Sequence, residues 1–374
     1  MAKPYKIIIS CGGTGGHIYP AIAVAQAFKA LNPANEILFV GAEGKMEMEK
    51  VPKAGFQIIG LAMRGLQRSL SFDNLLKNLF LPFQLLSSLW KARQILHDFK
   101  PDVVIGFGGY ASFAVLQMAD FQQVPVFIQE QNSYAGLANK WLSRFAKKIF
   151  VAYPNMEKFF DANKIVFTGN PIREDIANLS DIRTKSFEFF ELNPQKKTLL
   201  IIGGSLGAKT INDCLLNGVA RLLQADHQII WQTGKGYFSN IQQKLTSFLD
   251  AKLAKNLIVK EFIYEMQFAY ACADLVISRA GALSISELCL AQKATILVPS
   301  PNVAEDHQTK NAMALQEKQA CILVKDAEAK EILIDKTLDL LRDENELKKL
   351  QKNIFNFAKT NSAQLIANQV VSFL

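Results

Sequence analysis

Cys11-Gly12-Gly13-Thr14-Gly15-Gly16-His17-Ile18-Tyr19-Pro20 stands between an apolar run, Ile7-Ile8-Ile9, and the alanine-rich stretch 21–28. The run reads as a buried strand and the stretch as a helix. Glycines between them leave bare backbone N–H groups at a helix N-terminus, where donors and helix dipole together favour an anion. A second such segment, Gly203-Gly204-Ser205-Leu206-Gly207-Ala208-Lys209, follows Leu199-Leu200-Ile201-Ile202. Two strand–glycine loop–helix units in one chain predict an α/β protein of two nucleotide-type domains facing one cleft.

Working outward, strands are expected at 7–10, 37–40, 103–106, 126–129 and 149–151, with helices between them. The pattern returns at 198–202, 229–232, 257–260, 275–278, 295–298 and 322–324. Such alternation gives parallel sheets covered by helices on both faces. Thr168-Gly169-Asn170-Pro171-Ile172-Arg173 reads as a hinge, and strong helix formers follow from about Lys330.

The 374 residues predict about two domains. With 49% hydrophobic and 20% charged residues the chain is globular and not disordered. Cys11, Cys214, Cys272, Cys289 and Cys321 show no CxxC pair and no metal-ligand spacing, so they read as reduced, buried thiols. No signal peptide is legible, and no apolar stretch approaches the ~20 residues of a membrane span.

The net charge of +8 suits an anionic partner. Residues 64–100 carry Arg64, Arg68, Lys77, Lys91, Arg93 and Lys100 against Asp73 and Asp98, interleaved with Leu75, Leu79, Phe80, Phe83, Leu86 and Trp90. That is the composition of an interfacial membrane helix; an ordinary core helix would show the same spacing. Pro82 should break or kink it.

A third loop, Gly106-Phe107-Gly108-Gly109-Tyr110-Ala111, fits the GxGxxA form of a dinucleotide fingerprint, though not in the first βα unit. Neither of the other two loops holds the GKS or GKT of a P-loop, which argues against an NTPase. No Asp-x-Asp triplet occurs, which disfavours a metal-chelated sugar nucleotide. His17, at a helix N-terminus, suits a neutral imidazole base, or a ring that only caps or packs. His97 and His227 look like surface residues, and His307 opens a polar helix after a Pro-rich loop. Glu287 could accept both hydroxyls of a ribose, but Ser284-Ile285-Ser286-Glu287 is equally a capping box.

GGTGGHIYPAIAVA, GFGGYAS, EQNSYAGLANKWL, GNPIR, GGSLGA, SRAGALSISEL and PSPNVAEDHQTKNA follow one another along the chain. In this order they resemble the MurG family, bacterial N-acetylglucosaminyltransferases of peptidoglycan synthesis. The resemblance runs from the first strand to about residue 315. It implies the GT-B fold, two Rossmann-like domains with parallel sheets facing a central cleft. The implied domains are 1–168, with a C-terminal helix at about 355–374 packing back on it, and 169–354. The implied reaction moves GlcNAc from UDP-GlcNAc to the C4 hydroxyl of the MurNAc of lipid I, with inversion, giving the β1–4 link of lipid II.

The resemblance also assigns roles. Ser205 and its loop would meet the UDP diphosphate, Phe262 and Ile263 the uracil, and Glu287 the ribose. Arg279, Leu283 and Ser284 would lie by the nucleotide, His307 and Gln308 by the GlcNAc, and Arg173 by the donor phosphates. Thr14, Gly15, Gly16 and His17, with Gly108, Gly109 and Tyr110, would cradle the acceptor diphosphate, the first loop also touching the donor sugar. His17 is the best base, with Glu130 as the second catalytic residue, and Asn132 beside it would touch both acceptor and donor. No cofactor or metal is implied and no nucleic acid. Partners would be the two substrates, an anionic membrane surface and cell-wall synthesis proteins, with the enzyme peripheral on the cytoplasmic face of the inner membrane.

Two departures from the family fall on the acceptor side. Gln129 stands where the family has His, and Phe113 where it has Gly, which would add bulk near the acceptor diphosphate. Three other readings stay open on the residues: a UDP-GlcNAc 2-epimerase, a nucleotide-binding scaffold without turnover, and an NAD-dependent dehydrogenase.

Overall fold

The computed structural model describes residues 3–63, 81–172, 176, 179–303 and 306–374. They form two compact units, one of residues 1–172 with 361–374 and one of residues 173–360.

In unit 1 the strands are β1 (Lys6–Ser10), β2 (Glu36–Ala42), β3 (Gln57–Leu61), β4 (Val103–Gly106), β5 (Val126–Glu130), β6 (Lys148–Val151) and β7 (Ile165–Phe167). They lie in the order β3-β2-β1-β4-β5-β6-β7, all parallel. The runs are continuously apolar because both faces of the sheet are covered. Successive side chains alternate between the faces. Ile7, Ile9, Phe39, Val103, Ile105, Phe127 and Phe150 pack under the helices Gly15–Leu31 and Ser362–Val371. Ile8, Val40, Val104 and Ile128 pack under Leu81–Phe99 and Tyr110–Phe121.

Unit 2 repeats the plan with β8 (Thr198–Ile202), β9 (Gln228–Gln232), β10 (Leu257–Lys260), β11 (Leu275–Ser278), β12 (Ala294–Leu297) and β13 (Ile322–Leu323). Their order is β10-β9-β8-β11-β12-β13. Leu199, Ile201, Trp231, Leu275 and Ile277 form one face, covered by Lys209–Gln224, Ala329–Arg342 and Glu344–Phe355. In both sheets the chain reverses its direction of travel beside the first strand, between β1 and β4 and between β8 and β11. Open α/β sheets bind ligands at such switch points, outside the carboxyl ends of the strands.

Candidate active site

At the switch point of unit 1 the first and third glycine loops touch. Gly109 has φ +90°, and a Cβ there would lie 2.7 Å from the Gly12 carbonyl oxygen, so only glycine lets the two backbones approach this closely. Tyr110 opens the helix that follows and is exposed. His17 lies in the first turn of Gly15–Leu31, half-buried. Its Nδ1 is 2.8 Å from the Gly12 carbonyl oxygen, with the Thr14 hydroxyl at 3.4 Å. The carbonyl can only accept, so Nδ1 carries the proton and the neutral ring keeps its lone pair on Nε2. A Cβ on Gly108 would stand 3.0 Å from that Nε2. The bare Gly108 backbone therefore leaves the basic nitrogen room.

The loop after β5 is built around Glu130. Its buried carboxylate accepts the Asn132 N–H at 3.1 Å, the Asn132 amide at 3.3 Å, the Gly136 N–H at 3.1 Å and the Asn139 amide at 2.8 Å. Both oxygens hold the loop in shape. Such a carboxylate orients Asn132. Gln129 is fully buried beneath this loop, donating to Asn170 Oδ1 at 3.0 Å. Asn170 donates to the Gln131 carbonyl at 3.0 Å, and Gln131 to the Phe107 carbonyl at 2.8 Å. This amide network joins residue 170 to the third glycine loop. Phe113 packs against the core cluster of Ile8 and Val104. Its bulk thus goes into the core, contrary to the expectation that it crowds the loop.

In unit 2 the loop of Gly203 to Ala208 precedes the helix Lys209–Gln224, with Ser205 and Leu206 exposed at its tip. Gln232, buried at the carboxyl end of β9, donates to the Gly204 carbonyl at 3.0 Å and accepts the Ile263 N–H at 2.9 Å. It pins the glycine loop to residue 263. The Ile263 side chain is buried, so of the expected uracil pair only the half-buried Phe262 presents its side chain. Its ring meets Tyr264 at 4.9 Å. Arg279, after β11, donates to the Val298 and Pro299 carbonyls, each at 3.0 Å, and pairs with Asp326. Its guanidinium straps together the ends of β11, β12 and β13.

The helix Ala282–Leu290 is capped by Gly281, without a side-chain bond. Ser284 is thus already inside the helix, and the capping-box reading of Glu287 fails. Half-buried Glu287 accepts the Tyr270 hydroxyl at 3.1 Å. Leu283 and Ser284, also half-buried, lie on the first turn of the same helix. His307 and Gln308 open His307–Gln316, and Gln308 Oε1 accepts the Ser300 N–H at 2.9 Å.

Unit 1 therefore gathers Thr14, Gly15, Gly16, His17, Gly108, Gly109 and Tyr110 at its switch point, and unit 2 gathers Ser205 and Arg279 at its own. Arg173, Leu75, Leu79, Phe80 and the side chain of Phe83 lie outside the described residues. Leu86 and Trp90 are each 64% exposed on Leu81–Phe99, while Leu85 and Leu89 face the core. Pro82 sits in the first described turn of that helix. His227 is buried, not at the surface as its sequence context suggests. Burial, then the Arg342 guanidinium, hold its imidazole below the ordinary histidine range. The five cysteines are free and buried. Among the described residues no three His, Cys, Asp or Glu side chains are placed to hold a metal ion.

Gln232 and Glu47 are functional candidates that sequence reasoning did not find. Glu47 is fully buried, accepting the Ala42 N–H at 3.0 Å and the Gly13 N–H at 3.2 Å. A buried polar residue at the carboxyl end of β9 was the available signal for Gln232; nothing in the spacing marks Glu47.

Residues 7–151 match the glycosyltransferase family 28 N-terminal domain, and residues 198–370 the glycosyltransferase family 28 C-terminal domain. A Cytophaga hutchinsonii protein is 51% identical over 372 residues, covering 100% of this chain and 98% of its own length. A Bacteroides fragilis protein is 52% identical over 367 residues, covering 98% and 95%. Both are named UDP-N-acetylglucosamine--N-acetylmuramyl-(pentapeptide) pyrophosphoryl-undecaprenol N-acetylglucosamine transferase. The crystal structure of Acinetobacter baumannii MurG is similar with a TM-score of 0.76 at 27% identity, covering 99% of this chain and 100% of that one.

Proposed function

This chain belongs to glycosyltransferase family 28, and from that premise we propose that it transfers N-acetylglucosamine from UDP-GlcNAc to the MurNAc C4 hydroxyl of lipid I, forming lipid II. The C4 oxygen attacks C1 of the GlcNAc as the bond from C1 to the UDP oxygen breaks, with inversion to a β1–4 link. The alcohol's proton goes to a base, and UDP leaves with the bonding electrons. The observation that carries the mechanism is the His17 ring, whose Nδ1–H is held by Gly12 and whose Nε2 is left basic. General-base catalysis of this kind contributes about 10²–10⁴-fold.

The other roles are those that the resemblance implies. The Ser205 loop and the N-terminus of Lys209–Gln224 stabilise the leaving diphosphate. The Ile263 backbone and Phe262 ring take the uracil, and Glu287, freed of a capping duty, takes the ribose hydroxyls. Gln308 and His307 place the sugar, and the charge of Arg173 suits the donor phosphates. The acceptor diphosphate rests on the helix start at Gly15 and Gly16 and on the loop from Gly108 to Tyr110. Glu130 positions Asn132.

No helix among the described residues is long and apolar enough to cross a membrane. Leu86 and Trp90 lie on an exposed face that docks on the anionic cytoplasmic leaflet, where an undecaprenyl substrate must be met.

The test is UDP release from UDP-GlcNAc with and without a short-chain lipid I analogue. Release that requires the acceptor and yields a disaccharide lipid is expected. Isomerisation of the sugar without acceptor, or binding of UDP without turnover, would overturn the proposal.

A further inference from the structure

Beneath the first glycine loop lies a carboxylate that the reaction as drawn does not use. Glu47 heads the short helix Glu47–Lys53 and is fully buried. Oε2 lies 3.2 Å and Oε1 3.3 Å from the Gly13 N–H, and Oε1 accepts the Ala42 N–H at 3.0 Å. The fold makes room for it. A Cβ on Gly12 would lie 2.7 Å from Glu47 Oε1, and one on Gly41 would lie 2.6 Å from its Cγ. Burial, and then the charge of Glu47, push the neighbouring Cys11 thiol up.

The Gly13 N–H and the Gly12 carbonyl belong to one peptide group. In a trans peptide they point in opposite directions. One end of this peptide donates to Glu47, and the other accepts the His17 Nδ1 proton at 2.8 Å. The sequence of contacts is carboxylate, N–H, C=O, imidazole. Hydrogen bonds in series polarise one another. A carboxylate drawing on the N–H makes the carbonyl a better acceptor, which holds the ring in the tautomer with Nε2 unprotonated. In Ser-His-Asp sites a carboxylate grips the histidine directly and fixes its tautomer.

We propose that Glu47 is a positioning residue of the transfer reaction, acting on His17 through the intervening Gly12–Gly13 peptide. The proposal rests on His17 being the base. Glu47 touches no substrate. It holds the base's orienting carbonyl in place and supplies the charge that stabilises the imidazolium formed when the acceptor proton is taken.

The test uses the full-length protein with Glu47→Gln, Glu47→Ala, His17→Ala and the double variant Glu47→Gln/His17→Ala. Melting temperatures establish folding, and the near-isosteric Glu47→Gln carries the test if Glu47→Ala does not fold. In ¹⁵N-histidine spectra the His17 ring, assigned by its loss in His17→Ala, should show protonated Nδ1 in the native protein and a tautomer mixture in Glu47→Gln. In the lipid I assay Glu47→Gln should lower kcat about tenfold or more, with KM for UDP-GlcNAc unchanged. It should have no further effect on kcat in the His17→Ala background, because the two residues act as one unit. An unchanged tautomer, or the same fall in kcat with and without His17, would overturn the relay. If the native enzyme transfers no sugar, the reaction assignment fails, and the ring spectra still decide the relay.

Discussion

Gln232 accepts the Ile263 N–H at 2.9 Å through Oε1, while its amide nitrogen donates to the Gly204 carbonyl at 3.0 Å. One buried side chain thus sets the distance between the diphosphate loop and the uracil edge of the proposed donor site. Gln232→Leu leaves both backbone groups without a partner, at about 1–3 kcal/mol each. The expected outcome is a Kd for UDP raised about tenfold or more by calorimetry, with KM for the lipid acceptor unchanged.

Glu130 separates positioning from proton transfer. Glu130→Gln puts an NH₂ group among four N–H donors and loosens residues 131–139. Hydrogen exchange there should quicken, and kcat should fall about tenfold, less than the roughly 10²–10⁴-fold of losing a general base. The shape of the pH–rate profile should not change. A profile that loses one limb would make Glu130 the titrating base.

Leu86 and Trp90 expose apolar surface on a helix whose other face is in the core. Replacing both with serine should weaken sedimentation with anionic vesicles about tenfold or more, from the apolar area no longer buried at roughly 25 cal/mol/Å². Activity on a soluble, short-chain acceptor should remain at the native level. Equal loss in both assays would remove this helix from the membrane face.

His227 makes stability depend on pH. The fold holds this imidazole's pKa below its ordinary value, through burial, then Arg342 and Lys197 against Asp226 and Asp274. The neutral ring is the form that folds, so its contribution is complete above about pH 6.5 and is lost as pH falls through the lower folded value. Urea midpoints at about pH 7.5 and about pH 5.5 should differ less in His227→Gln than in the native protein. An identical difference would place the acid sensitivity elsewhere.

The fold was largely legible because parallel strands buried on both faces write themselves as unbroken apolar runs. Val103–Gly106, Thr198–Ile202, Leu257–Lys260 and Leu275–Ser278 have the bounds that their runs suggest. Gln57–Leu61 and Ile165–Phe167 did not stand out. Both are edge strands with half-buried positions, one interrupted by Gly60 and the other only three residues long.

The candidate site was legible where backbone geometry builds it, as at Gly108, Gly109 and His17. It was illegible where one side chain reaches across the fold. Glu47 meets Gly13 from 34 positions away, and Gln232 meets Ile263 from 31. No periodicity encodes such pairings. Gln129 could be read as unable to titrate, but its partner Asn170, 41 positions on, could not be foreseen.

Ile366, Ala367 and Val370 are fully buried in the core of unit 1, yet they follow all of unit 2 along the chain. A ribosome delivers the chain in order. Unit 2 has all of its own residues in hand before residues 361–374 emerge, whereas the nascent unit 1 must wait with its helix Gly15–Leu31 still lacking the neighbour that covers it. The earlier half of the molecule is thus completed last. The enzyme reaches its working form only when synthesis has passed both units, so a stalled or shortened chain yields a unit 2 that is complete and a unit 1 that is not.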